Sequence, residues 1–289
     1  MPRPPTDLHQ KVREILGHTL PLPSEASSPI RHFERTANAT MSMLKYVDDH
    51  LDAAGFYGTV KERHIANLRR MALASLVESF ERFLKELAIL CIDSLADFVN
   101  DDRNDDRFDE FSAKGGQIAF HLSAGSVGKA LCESDTWLTN RTTNERFRKL
   151  LKRPFGDNWE NLFPEENQPP PGERDRARTL SILWQVRHTI SHNVGVVTGS
   201  DAAKLKMIVK SNVDSSGILT PTHYDIIYVK RFLSETAQSV NRRIGTRLAE
   251  VLTALHQDNP ALFDSLDRAS ALSRELGFSV TINGSVSVL

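Results

Sequence analysis

VKERHIANLRRMALASLVESFERFLKELAILCIDSLADFVN, residues 60–100, is the stretch whose reading decides the fold. Leu68, Met71, Ala72, Leu76, Phe80, Phe83, Leu84, Leu87, Leu90, Leu95 and Phe98 recur at steps of three and four, forming a nearly continuous apolar face. That period belongs to a helix, and a strand would need alternation. Between Ile89 and Leu95 the apolar face widens, which predicts burial on several sides.

Upstream, Phe33, Ala37, Met41, Leu44, Val47 and Leu51 predict a helix over 29–53, closed by a turn at Gly55 and Gly58. Residues 1–28 carry five prolines and few clustered apolar side chains, and are expected to form an arm. Downstream, the acidic run 101–106 lacks the glycine and glutamate of a calcium loop and reads as a solvated turn. Residues 108–138 give short helical pieces broken by Gly115, Gly116, Gly125 and Gly128. Helices are predicted over 144–153, 175–192, 222–256 and 260–276. Residues 207–213 read as a strand or a loose helix, and 278–289 as a β-prone tail. The expectation is an all-α, up-and-down helical bundle with at most a minor β element. It comprises a domain over 29–256 with its core at about 60–250, the arm before it, and a C-terminal helix and tail over 257–289.

Composition narrows the function classes. A formal net charge of -1 excludes a globally basic nucleic-acid binder but leaves room for local basic patches. Two cysteines, Cys91 and Cys132, give no disulfide framework. The N-terminus has no apolar signal core and no run of eighteen apolar residues follows, so a cytoplasmic protein without membrane spans is expected. Ser123–Ala130 imitates a phosphate-binding loop, but Ser123 replaces its first glycine and Ala130 its final Ser or Thr.

The chemistry-bearing motif is Arg187-His188-Thr189-Ile190-Ser191-His192-Asn193, at the end of an amphipathic helix and followed by Val194-Gly195. An imidazole near neutrality can remove or donate a proton, and arginine offers a permanent, forked cation to phosphoryl oxygens. RNA cleaves itself when a 2′-hydroxyl attacks the adjacent phosphate in line. His192 therefore suits general acid/base work and Arg187 phosphate positioning and charge stabilisation. His188 would orient the phosphate or share proton transfer. His188 and His192 also have the four-residue spacing of a zinc helix, but no glutamate follows the first histidine and no further ligands fall at recognisable spacing.

Around this motif the chain resembles the HEPN superfamily. Ala74–Leu84 looks like that family's acidic first core helix, Phe147–Phe155 with Trp159 like its middle helix and loop, and Thr222–Ile244 like its closing helix. The resemblance covers roughly residues 60–250. It implies a metal-independent endoribonuclease without cofactors, leaving a 2′,3′-cyclic phosphate and a 5′-hydroxyl. Toxins and antiviral or stress effectors of this kind are held in check by an antitoxin or operon partner. The alternative within the family is a non-catalytic module binding nucleotide, RNA or protein.

Five helical steps turn by about 500°, so Arg187 and His192 point about 140° apart on an ideal helix. Either the helix loosens at His192, or the site is shared across a dimer; the family resemblance implies the dimer, with paired sets lining one cleft. An acidic partner from the 60–100 helix would position the pair, with Glu81 the first choice and Glu78 the second. Asn193 would cap the helix, hold the RNA, or both. Arg146, Lys149, Lys152 and Arg153 form a basic group that would track an RNA backbone if it faced the cleft.

Overall fold

The computed structural model describes residues 28–51, 55, 58–99, 106–111, 126–132, 137, 139–153, 159–164 and 171–286. Among these the chain forms eight α-helices and one small hairpin. The helices are α1 (Pro29–His50), α2 (Gly58–Val99), α3 (Val127–Cys132), α4 (Asn140–Leu150), α5 (Pro171–Asn193), α6 (Gly199–Val209), α7 (His223–Asp258) and α8 (Ser265–Leu276). The hairpin strands are β1 (Thr281–Ile282) and β2 (Ser285–Val286). The all-α class is thus observed. The acidic run at 101–105 and the arm at 1–27 lie outside the described residues.

The 42-residue α2 organises the bundle. At about 1.5 Å per residue it runs about 63 Å, and α1, α3, α5 and α7 all pack on it. Its widened apolar face has a direct cause: Leu87, Ala88, Cys91, Ile92 and Leu95 are all fully buried because neighbours cover it from several directions. Against α1, Phe33 meets Phe80 edge-on at 6.0 Å and Phe83 at 5.9 Å, geometries that aromatic quadrupoles favour. One continuous core takes in residues from Ile30 to Ile282, so α8 and the hairpin belong to the same packed body as α2.

Local chemistry sets the element ends. Thr139 caps α4 by accepting from the Thr142 amide, which starts that helix four residues before the predicted Asn144. Capping boxes open α6 (Thr198 and Asp201) and α7 (Thr222 and Asp225). Of the segment 207–213, read as a strand or a loose helix, residues 207–209 end α6, Lys210 closes it in the left-handed region at φ 57°, and 211–213 are irregular. Asn283 and Gly284 supply the two positive φ angles that a two-residue hairpin turn needs, and buried Ile282 ties the hairpin to the core.

The described part of the phosphate-loop imitation, 126–130, has a packing role. Ser126 and the Gly128 amide both donate to Asp93 on α2, at 2.9 and 2.7 Å, which docks α3. A Cβ on Gly128 would stand 2.6 Å from the Ile89 carbonyl oxygen, so only glycine permits this approach. No helix of the described residues is long and apolar enough to cross a membrane.

Candidate functional site

α5 carries the motif residues, and its face assignments follow from the helical period. Arg187 falls within about 60° of Leu180, Leu183, Trp184 and Ile190, the stripe that faces the bundle. Its side chain is accordingly 19% exposed, and Nη2 meets Glu78 Oε1 on α2 at 3.1 Å. Arg187 Nε is buried without a hydrogen-bond partner among the described residues. Glu78 is half exposed and also lines a cavity of about 200 Å³ between α1 and α2, with His32, Thr36, Ser75, Ser79 and Arg82.

His188 and His192 occupy the other side of α5. Their ring centroids are 4.4 Å apart with planes inclined at 43°; His188 is half-buried and His192 exposed. The helix stays α-helical through Asn193, so it does not loosen at His192, and one chain turns the arginine and this histidine to different sides.

The predicted supporting residues divide. Glu78, the second choice, is the acidic partner that Arg187 meets. Glu81, the first choice, uses Oε1 to accept from the Trp137 backbone amide at 3.0 Å, which anchors the approach to α4. Three residues apart, Glu78 and Glu81 are neighbours on one face of α2, and the passage of the Trp137 backbone beside Glu81 leaves Glu78 to the guanidinium. Asn193 donates its side-chain amide to Asp201 at 2.8 Å, so it clasps the start of α6.

The predicted RNA-tracking group is largely used inside the fold. Arg146 is buried, with its guanidinium carbon 4.6 Å from the Trp137 ring centroid and 5.6 Å from that of Phe111. Lys149 pairs with Glu110 at 2.7 Å, and that contact holds its ammonium above the ordinary lysine range. Lys152 pairs with Asp106. Arg153 remains exposed, 3.8 Å from Glu250. A helix bearing Arg146 and Lys149 beside Phe147 and Leu150 turns those cations towards the 106–111 turn, which supplies their acids and rings.

Sequence reasoning missed Asp201. Buried at the start of α6, it accepts from Gln185 Nε2 (3.0 Å), Asn193 Nδ2 (2.8 Å), Thr198 Oγ1 (2.8 Å) and the Thr198 amide (3.2 Å). Burial pushes its carboxyl up, but the Thr198 and Asn193 bonds together with the nearby His188 outweigh this and hold it below the ordinary carboxylate range. Gln185 and Asn193 flank both histidines in sequence, so this carboxylate fixes the last two turns of α5. The signal was present in Thr198-x-x-Asp201, a capping pattern.

No family model matches the chain. Nor does any curated protein or any solved structure.

The site presents a half-buried His188 beside an exposed His192, a guanidinium on another side of the same helix held by a carboxylate that water also reaches, and a buried carboxylate that fixes the helix end. Among the described residues, no group of three or more His, Cys, Asp or Glu side chains is placed to hold a metal ion.

Proposed function

We propose that the chain is a metal-independent endoribonuclease of HEPN type, acting as a toxin or as an antiviral or stress effector. The observation that supports this reading best is the ring contact of half-buried His188 with exposed His192, over the last two turns of the helix that also carries Arg187. His192 takes or gives the proton at the ribose 2′-hydroxyl or the leaving oxygen. Arg187 exchanges the Glu78 carboxylate for a substrate phosphate and neutralises charge developing on its oxygens. His188, in ring contact with His192, holds that imidazole's orientation or shares the transfer.

Because the helix does not loosen, a complete site draws its second half from another copy of the chain. The active species in this reading is a two-fold dimer in which Arg187 of each subunit works beside His192 of the other. A neutralising partner protein fits the same reading.

A second reading is favoured by the Glu78–Arg187 pair itself, which engages the guanidinium from within the chain. In it the chain binds nucleotide, RNA or protein without cutting. Incubation of end-labelled RNA with the parent, Arg187→Ala and His192→Ala proteins decides between the two. The nuclease reading expects cyclic-phosphate ends from the parent and, for either variant, a rate lower by about 10²–10⁴ with folding retained. A parent that binds RNA and leaves it whole supports the second reading. Equal growth of cells expressing the parent and His192→Ala proteins would sink the toxin role.

A further inference from the structure

The segment after the motif forms a lobe on the bundle. Residues 195–197 pair with 216–219 through Leu219 N–H to Gly195 O and Val197 N–H to Gly217 O, both 2.8 Å, and an isolated bridge joins Val196 to Ile218. α6 leaves this pairing on one side and α7 leaves it on the other. His192 lies three residues before Gly195, so the lobe begins at the candidate site.

Its surface is unusual for this molecule. More than half of the large apolar side chains left exposed among the described residues fall between Val194 and Tyr228. The two most prominent rings are Tyr224, 80% exposed, and Tyr228, 63% exposed. They are four residues apart on the first turns of α7, hence on one face and about 6 Å apart along the axis. Arg231 continues that exposed stripe, and its ion pair with Glu235 is a solvated one that a phosphate can displace. On α6, Lys204 and Lys206 are exposed, while the helix's acid, Asp201, is buried. The lobe thus presents flat rings and cations outward together with two acids, Asp214 and Asp225, the second of which is spent on the Thr222 cap of α7.

We infer that this lobe binds single-stranded RNA, with Tyr224 and Tyr228 stacking unpaired bases and Lys204, Lys206 and Arg231 meeting the backbone phosphates. The inference rests on the RNA reading above and names the form of the substrate. Exposed rings in line with a cation, as Tyr224, Tyr228 and Arg231 are on α7, suit a single strand, because every unpaired base offers a π-face and a duplex hides them. A subunit interface is the competing occupant, since interfaces favour Tyr, Met and Arg; the exposed Lys204 and Lys206 of the lobe weigh against it, because lysine is depleted there. The basic group expected to track RNA at 146–153 is largely engaged within the fold, and the exposed ring of Tyr46 on α1 is already stacked on His50 at 4.1 Å, whereas the two lobe tyrosines have their outer faces open.

The test measures fluorescence anisotropy of a labelled 12-nucleotide single-stranded RNA and of a duplex of equal length. Each is titrated with the full chain and with Tyr224→Ala, Tyr228→Ala, Tyr224→Phe and Tyr228→Phe. Each alanine variant is expected to weaken single-strand binding roughly five- to a hundredfold. The phenylalanine variants should stay within about twofold of the parent and duplex binding should be unchanged. Failure of the parent to bind the single strand overturns the inference, as do alanine variants that match the parent. So does an affinity loss that only accompanies a dimer-to-monomer change in sedimentation, which would make the lobe a subunit interface. If the parent cleaves RNA and the tyrosine variants bind normally, the lobe assignment falls and the nuclease reading stands. If the rings govern binding and the parent cleaves nothing, the reverse holds.

Discussion

At the scale of single residues, Asp201 shows how a buried charge can serve as a joint. Its carboxylate accepts donors from α5 and from the α6 cap, so truncation strands several of them at once. We expect Asp201→Ala to cost about 3 kcal/mol, given about 1–3 kcal/mol for each buried polar group left unsatisfied and some relaxation. The pH dependence follows from the sign of its shift. A carboxyl whose folded value lies below its unfolded value of about 3.9 contributes fully above that value and loses its contribution as pH falls through the folded one. The stability gap between parent and Asp201→Asn should therefore be widest above about pH 5 and close in stronger acid, where thermal unfolding at a series of pH values checks it. Not every residue role was readable in advance. An acidic partner for Arg187 from α2 was expected, but the choice of Glu78 over Glu81 depended on where the backbone at Trp137 passes, which no local pattern encodes.

Among the elements, the long helices were legible because each presents an uninterrupted apolar stripe. α6 was not. Its eleven residues carry three buried positions, Asp201, Ala202 and Leu205, and one of these is charged, so periodicity gave little warning. Its start was written in a capping box, a chemical signal independent of hydropathy. α3 was obscured in the same way, since its glycine looked like a breaker and is in fact the condition for docking. Gly128→Ala should force α3 off Ile89 and lower stability by about 2 kcal/mol, within the range of an overpacked core. Loss of amide-exchange protection confined at first to 126–132 would locate the damage; protection equal to the parent would contradict the contact.

For the molecule as a whole, fold class was legible and assembly of the periphery less so. The C-terminal segment was expected as an appendage, yet Leu272, Leu276, Val280 and Ile282 join the central core. An amphipathic helix announces that it will bury one face, but its sequence does not name the surface that receives it. Cleavage between α6 and α7, at the exposed connection near Ser215, should consequently leave two fragments bound through α2, α5 and α7. Co-elution of the pieces in size-exclusion chromatography would show this, and their separation would contradict the packing.

The 42-residue α2 has one more implication. Because five other helices contact this single rod, any division that severs it should abolish both halves. A functional split pair would have to be cut in a surface connection, with the entire beam kept on one side of the break.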